Sequence, residues 1–333
     1  MIRLGIDAYG GDTGEIEVCK AVINSLGKNY DIKYILYGNV DTLTSVFDEL
    51  KFDYKNNSID IIDCKDKILM NDHPVFAIRS KTDSSITKAG TQLKNNEIDV
   101  FISAGNTGAL VALAEFYSKP ISGIDRPVIA SIVPTSKGPM ILADSGCNLD
   151  SKPEWLYQYA KITSVYYEIM FGVKNPRVAT LSVGTEENKG NVLSLAAYKL
   201  ISEDKSINFI GNVEARDLVN GVTDIVVTDG FAGNVFLKTY EGTATLLLKL
   251  IKEQIKSSFI STIGGLLIKS SIKKLLTKYN IKTYGGAPIL GANHIIFKCH
   301  GNAEHEEYEN SIREAYEFCK KDVLSKIKQS LGV

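Results

Sequence analysis

Five times in this chain an apolar run ends at a corner rich in glycine, asparagine or aspartate: Gly10-Gly11-Asp12, Ser103–Gly108, Asp144–Asn148, Gly184–Gly190 and Asp229–Asn234. In the sharpest case, Ile98-Asp-Val-Phe-Ile-Ser-Ala-Gly-Asn-Thr-Gly108 leads at once into the apolar segment Ala109–Phe116. That pattern predicts a strand, a tight loop and a helix. Such a loop can aim backbone N–H groups, and the positive end of a helix dipole, at an anion. The chemistry suggested is phosphate handling at Ser103, Gly105, Asn106, Thr107 and Gly108. Glycines at such corners also serve tight strand-to-helix turns, so one loop alone decides little.

The polar side chains at these corners have two readings each. Asp7, Asp12, Asp144 and Asp229 fall at or just beyond predicted strand ends, where aspartate caps helices and forms turns as readily as it orients a site. Lys189, in Gly-Thr-Glu-Glu-Asn-Lys-Gly-Asn, could meet a bound phosphate with its ammonium or simply be solvated. Among the four histidines, His300 follows the apolar run Ile295-Ile296-Phe297 and is held at a strand end. It is the better acid–base candidate; a structural hydrogen bond is the alternative. Histidine spacing fits no zinc pattern. Cys147 reads as a small buried thiol rather than a nucleophile, since nothing near it in sequence would lower its pKa.

Two common nucleotide signals are absent. Gly230–Thr239 ends in Leu-Lys-Thr without the glycine that a P-loop requires, and no GxGxxG follows the first strand. These absences argue against a P-loop kinase and a standard dinucleotide-binding dehydrogenase.

The elements that must position these corners are strands alternating with helices. Strands are predicted at Arg3–Asp7, Lys33–Tyr37, Ile59–Ile62, Val128–Val133, Met140–Ala143, Arg177–Val183, Asn208–Ile210 and Ile225–Thr228. Helices are predicted at Glu15–Leu26 and over most of Pro74–Lys94. Alternation of this kind implies βαβ units, a largely parallel sheet covered on both faces, and ligand sites at the strand C-termini.

Residues 246–279 depart from this rhythm. Leu247, Ile251, Ile255, Phe259 and Ile263 recur every four residues, with Lys249, Lys252 and Lys256 on the other side. A second arc holds Ile268, Ile272, Leu275, Leu276 and Tyr279, with Lys269, Lys273, Lys274 and Lys278 outside it. The reading is two amphipathic helices with a basic polar side and a hinge at Gly264-Gly265. Such a pair could cap the core, build a dimer interface, lie on an anionic membrane or dock an acidic partner.

Bulk composition sets the outer bounds. The chain has 333 residues, 44% apolar and 23% charged, with a net charge of -1. That is ordinary for a globular enzyme and gives no global reason to bind nucleic acid. Five dispersed cysteines without CxxC spacing suit reduced thiols in a cytosol. The N-terminus reads as a strand rather than a signal peptide, and no apolar run approaches the ~20 residues that span a bilayer.

In order and spacing, these motifs make the chain resemble the bacterial phosphate acyltransferases of phospholipid synthesis. The landmarks are Asp7–Asp12, Ala77–Ser85, Ser103–Ala109, Gly184–Asn191, Phe209–Glu214, Asp229–Asn234, Tyr284–Pro288 and His300-Gly301, spread essentially end to end. There are departures from the family pattern: Cys147 stands for an alanine, Asn302-Ala303 for two serines, and Tyr9 for a methionine. The resemblance implies a three-layer α/β/α sandwich with a mostly parallel sheet, like phosphate acetyltransferases and isopropylmalate dehydrogenases. It implies one domain over residues 1–333, from which 246–279 projects. It implies a cytoplasmic, peripherally membrane-associated homodimer that passes a fatty acyl group from acyl carrier protein to inorganic phosphate. A membrane acyltransferase would then use the acyl phosphate on glycerol 3-phosphate. No metal or organic cofactor is called for.

On this reading Ser103–Gly108 and Lys189 hold phosphate, with Gly11, Asp12 and Asp144 in the substrate site. Asn106, Asn148 and Asn234 position phosphate or the acyl carbonyl, and His300 and Asp229 assist the chemistry. An acyl-CoA-dependent phosphate acyltransferase, a decarboxylating dehydrogenase of similar fold and a non-catalytic membrane adaptor are the alternatives.

Overall fold

The computed structural model describes residues 1–279 and 281–333, and the side chains of all of these except 273–278, 281 and 282. From the N-terminus the chain forms β1 (Ile2–Asp7), α1 (Glu15–Leu26), β2 (Ile32–Gly38), α2 (Val40–Glu49), β3 (Ile59–Asp63), α3 (Pro74–Ser80), α4 (Ser85–Lys94), β4 (Val100–Ser103) and α5 (Thr107–Leu113). The middle comprises β5 (Val128–Ile129), β6 (Ser131–Thr135), β7 (Gly138–Ala143), α6 (Pro153–Phe171), β8 (Val178–Ser182), α7 (Val192–Glu203), β9 (Phe209–Glu214), α8 (Ala215–Leu218) and β10 (Ile225–Val227). The last third holds α9 (Gly230–Ile255), α10 (Phe259–Tyr279), β11 (Ala287–Leu290), β12 (Ile295–Lys298), α11 (His305–Lys320) and α12 (Val323–Ser330).

The strands form two sheets, in the orders β3-β2-β1-β4-β12-β11-β5 and β6-β7-β10-β8-β9. Pairing is mostly parallel; β11 and β6 supply the antiparallel contacts. The α/β architecture is thus the expected one, with its strands divided between two sheets. Residues 128–133, expected as one strand, are the reason. Val128–Ile129 pairs with β11 in the first sheet, the run breaks at Ala130, and Ser131–Thr135 pairs with β7 in the second. One apolar run therefore forms an edge of each sheet. A core cluster including Leu4, Ile6, Val100, Ile141, Val178 and Ile225 draws on both sheets. Continuous apolar runs of this kind are what strands covered on both faces require.

Most of Pro74–Lys94 is helical, as expected, in two helices, because Ser84 leaves helical geometry and its Oγ caps α4 at the Thr87 N–H. One other expectation is corrected. The basic helical pair bends at Lys256–Ser258, not at Gly264-Gly265. Gly265 lies inside α10, where any side chain would run into Ile255 of α9. The glycine serves close helix–helix approach rather than a hinge. The predicted positions Lys273, Lys274, Leu275, Leu276 and Lys278 lie outside the described side chains.

Candidate active site

Because β1, β4 and β12 are parallel neighbours, Asp7, Ser103 and His300 end up side by side at one sheet edge. Parallel pairing of β7 with β10 does the same for Asp144 and Asp229. Between these two edges lies a cleft of about 380 Å³. Its lining draws Asp12, Thr107, Lys298 and His300 from the first set, and Ser145, Gly146 and Asn234 from the second. Ile129, Ile132, Leu237 and Ala287 give it an apolar wall.

Of the predicted residues, Asp12, Thr107, Asn234 and His300 line this cleft. The others stand behind it or away from it. Ser103 is buried and its Oγ donates to Asp7 Oδ2 at 2.6 Å, while accepting the Gly105 N–H at 2.9 Å. Asn106 caps α5, its Oδ1 accepting the Ala109 N–H at 3.0 Å. The Asn106 amide nitrogen donates to the carbonyls of Leu69 and Met70, both at 3.1 Å, so the side chain is committed to holding a neighbouring loop. Gly108 packs against Pro74, and Gly11 turns at φ 93° against the Gly301 carbonyl. Asp12 N donates to that carbonyl at 2.7 Å, locking the loops after β1 and β12 together.

The second edge is built in the same manner. Asp144 is fully buried and accepts the N–H groups of Gly146, Cys147 and Asn148 at 3.0, 2.9 and 2.7 Å. Burial raises its pKa to about 6 against those hydrogen bonds. Asn148 donates to the Pro127 carbonyl, Asp144 and Tyr159, so its amide is spent inside the protein. Asp229 is the N-cap of α9, accepting the Ala232 N–H at 2.8 Å. Gly233, one turn into α9, packs directly on the Asp144 carbonyl, which is why the helix can start so close to that loop. Asn234 follows it and stands against Gly146. Lys189 is exposed in the loop after β8 and does not line the cleft. Burial pushes the Cys147 thiol's pKa well up, against any nucleophilic role.

His300 is clamped. Its Nδ1 meets Glu307 Oε1 at 2.7 Å and its Nε2 meets Glu241 Oε1 at 2.9 Å. Carboxylates only accept, so both ring nitrogens carry protons and none has a lone pair with which to act as a base. Burial alone would lower its pKa; the bonds to Glu241 and Glu307 outweigh it and raise it to about 9. Beside it, Lys298 closes β12 with its Nζ donating to the carbonyls of Ala104 and Cys299. Burial lowers the Lys298 pKa. Sequence reasoning missed Lys298, Glu241 and Glu307. The signal for Lys298 was a lysine within an otherwise apolar strand; the two glutamates lie far along the chain and only the fold brings them to His300. Among the described residues no group of three or more His, Cys, Asp or Glu side chains is placed to hold a metal ion.

The two-sheet α/β architecture belongs to a known class of fold. The EutD phosphotransacetylase of Staphylococcus aureus is similar in structure, with a TM-score of 0.57 at 16% identity, covering 99% of this chain and 94% of that one. A branched-chain phosphotransacylase of Enterococcus faecalis gives 0.57 at 15% identity, covering 97% and 99%. The fold is therefore that of the phosphotransacylases. Sequence goes further. The family model described as "Fatty acid synthesis protein" matches residues 2–326. A phosphate acyltransferase of Clostridium botulinum is 42% identical over 329 residues, 98% of each chain. One from Caldicellulosiruptor bescii is 42% identical over 330 residues, covering 99% of this chain and 98% of its own. The chain belongs to this phosphate acyltransferase family of fatty acid synthesis proteins, and it is an acyltransferase.

Proposed function

We propose that the enzyme transfers a fatty acyl group from acyl carrier protein to inorganic phosphate, releasing acyl phosphate and the carrier thiol. The observation that carries this reading is the cleft itself, which combines Lys298 and the His300 cation with the apolar wall Ile129, Ile132, Leu237 and Ala287. The cations suit phosphate, and the wall suits an acyl chain. Phosphate is anionic at neutral pH and needs no base; the enzyme's work is to desolvate it and hold it against the thioester carbonyl. Positioning of that kind can lower a barrier by ~7–11 kcal/mol. Attack by a phosphate oxygen forms the C–O bond and a tetrahedral oxyanion, for which Asn234 and the Lys298 ammonium are candidate donors. Collapse breaks the C–S bond and expels the thiol as thiolate, whose ordinary pKa near ~8.5 makes it a competent leaving group. No covalent acyl-enzyme is invoked. The test supplies acyl carrier thioester with phosphate and measures acyl phosphate; failure across all chain lengths would refute the assignment. Equal rates with acyl-CoA would favour a carrier-independent enzyme.

The α9–α10 hairpin supports a second part of the reading, peripheral attachment to an anionic bilayer. Phe259 and Ile260 at its bend are 81% and 82% exposed, and Leu246, Leu247, Ile251, Leu266 and Leu267 are also exposed. Lys249, Lys252, Lys256 and Lys269 are exposed along the same hairpin. Apolar and lysine side chains in this combination are what interfacial helices use. No described helix is long and apolar enough to cross a membrane. A homodimer and a membrane acyltransferase as consumer of the product belong to the proposal through the family resemblance.

A further inference from the structure

Glu307 is 1% exposed, and its Oε1 accepts both the backbone N–H of His300 at 2.8 Å and the ring Nδ1 at 2.7 Å. That carboxylate fixes the ring from α11. The opposite nitrogen is taken by Glu241, which comes from α9, 59 residues away in the chain. Glu241 is the more accessible partner and is itself held by Lys238 at 2.9 Å. The same helix face delivers Asn234, Leu237 and Lys238 to the cleft.

We propose that Glu241 is a positioning residue: it completes a two-carboxylate clamp that keeps the His300 ring doubly protonated and fixed in the cleft wall, as a standing cation for the anionic co-substrate. The proposal rests on the phosphate acyltransferase reading of the cleft. A neutral imidazole has one donor and one acceptor nitrogen, and an acceptor facing a carboxylate is repelled. Two carboxylates on opposite nitrogens are satisfied together only by the cation. Glu307 from α11 and Glu241 from α9 contact the ring, and Lys238 from α9, Lys298 from β12 and Asp12 from the loop after β1 line the same cleft. Lys238 and Lys298 favour the neutral ring, so the two glutamates must outweigh them.

The experiment follows kcat/KM for phosphate against pH in wild type, Glu241→Gln and Glu241→Asp, beside a histidine-selective NMR titration of each free protein. Glu241→Gln keeps the shape and removes the charge. Its alkaline limb is expected to move down by roughly 1–3 pH units, the effect of losing one adjacent opposite charge, with the His300 titration moving alongside. Glu241→Asp is expected to restore part of the shift. An alkaline limb and a ring titration that stay in place would overturn the proposal, and so would a His300 ring neutral at pH 7 in wild type. If wild type forms no acyl phosphate, the reaction assignment fails separately. The NMR titration then still decides whether Glu241 holds the proton on His300.

Discussion

Ser103 donates its hydroxyl to the buried Asp7 carboxylate at 2.6 Å, joining the ends of β4 and β1 across 96 residues of sequence. Asp7 also accepts the N–H groups of Tyr9 and Gly10, at 3.0 and 2.9 Å, and Ser103 accepts that of Gly105. One buried hydroxyl thus organises the two loops that face the cleft without itself lining it.

Ser103→Ala should therefore act on stability before it acts on phosphate. It leaves an Asp7 oxygen and the Gly105 N–H without that partner inside the protein, at a cost of roughly 1–3 kcal/mol. Urea unfolding should show the loss, while half-saturation by phosphate stays near wild type. A sharp rise in the phosphate requirement at unchanged stability would instead put the hydroxyl on the substrate.

Asp144 gives a prediction in pH. Its folded pKa of about 6 lies above the ordinary aspartate value, so the folded state binds this proton more tightly than the unfolded one. The sign follows: its stabilising contribution is fully present below about pH 4 and is lost as pH rises through 6. Against Asp144→Asn, which does not titrate, wild type should gain up to roughly 3 kcal/mol between pH 7 and pH 4. Paired denaturation curves at the two pH values measure this. A difference that does not vary with pH would show that folding leaves this carboxylate's pKa at its unfolded value.

Lys298 and Lys189 should behave oppositely. Lys298 lines the cleft and Lys189 stands exposed outside it. Losing a charged hydrogen-bond donor to phosphate should raise its half-saturating concentration roughly tenfold to a hundredfold in Lys298→Met. Lys189→Ala should leave it unchanged. Initial rates against phosphate concentration discriminate; the reverse pattern would move the phosphate site to the loop after β8.

The sequence carried the alternation of strands and helices because apolar runs and glycine corners are local signals. Four of the five glycine-rich corners reach the cleft, through Asp12, Thr107, Ser145, Gly146 and Asn234, since strand C-termini converge in a parallel sheet; Gly184–Gly190 does not line it. What the sequence could not carry was which side chains in those loops reach the cleft. Asn106 and Asn148 looked like substrate ligands, yet their partners are the carbonyls of residues 69, 70 and 127, which no local pattern announces. His300 was legible as an acid–base candidate from its strand-end position, but the carboxylates of Glu241 and Glu307 that take both its ring nitrogens come from distant helices. The division into two sheets was hidden for a similar reason. The break at Ala130 interrupts an unbroken apolar run, and only pairing with β11 and β7 reveals it.

The hairpin prediction separates its apolar and cationic contributions. Phe259 and Ile260 project from the bend almost fully exposed. Inserting each into a bilayer interface would be worth up to roughly 1.5–3 kcal/mol if fully buried, independent of salt. Each lysine near an anionic surface adds about 1 kcal/mol, and that part fades as salt screens it. Flotation with vesicles containing anionic lipid should therefore capture the wild-type protein, with weaker capture at high salt. Phe259→Ser with Ile260→Ser should reduce capture at every salt concentration. Lys249, Lys252 and Lys256 changed together to Glu should reduce it at low salt and hardly at all at high salt. Acyl phosphate formation from soluble substrates should continue in both variants, because these positions lie well beyond Lys238, the last α9 residue to line the cleft. Capture that survives both sets of changes would remove the hairpin from the membrane role and leave its exposed apolar residues to a protein partner.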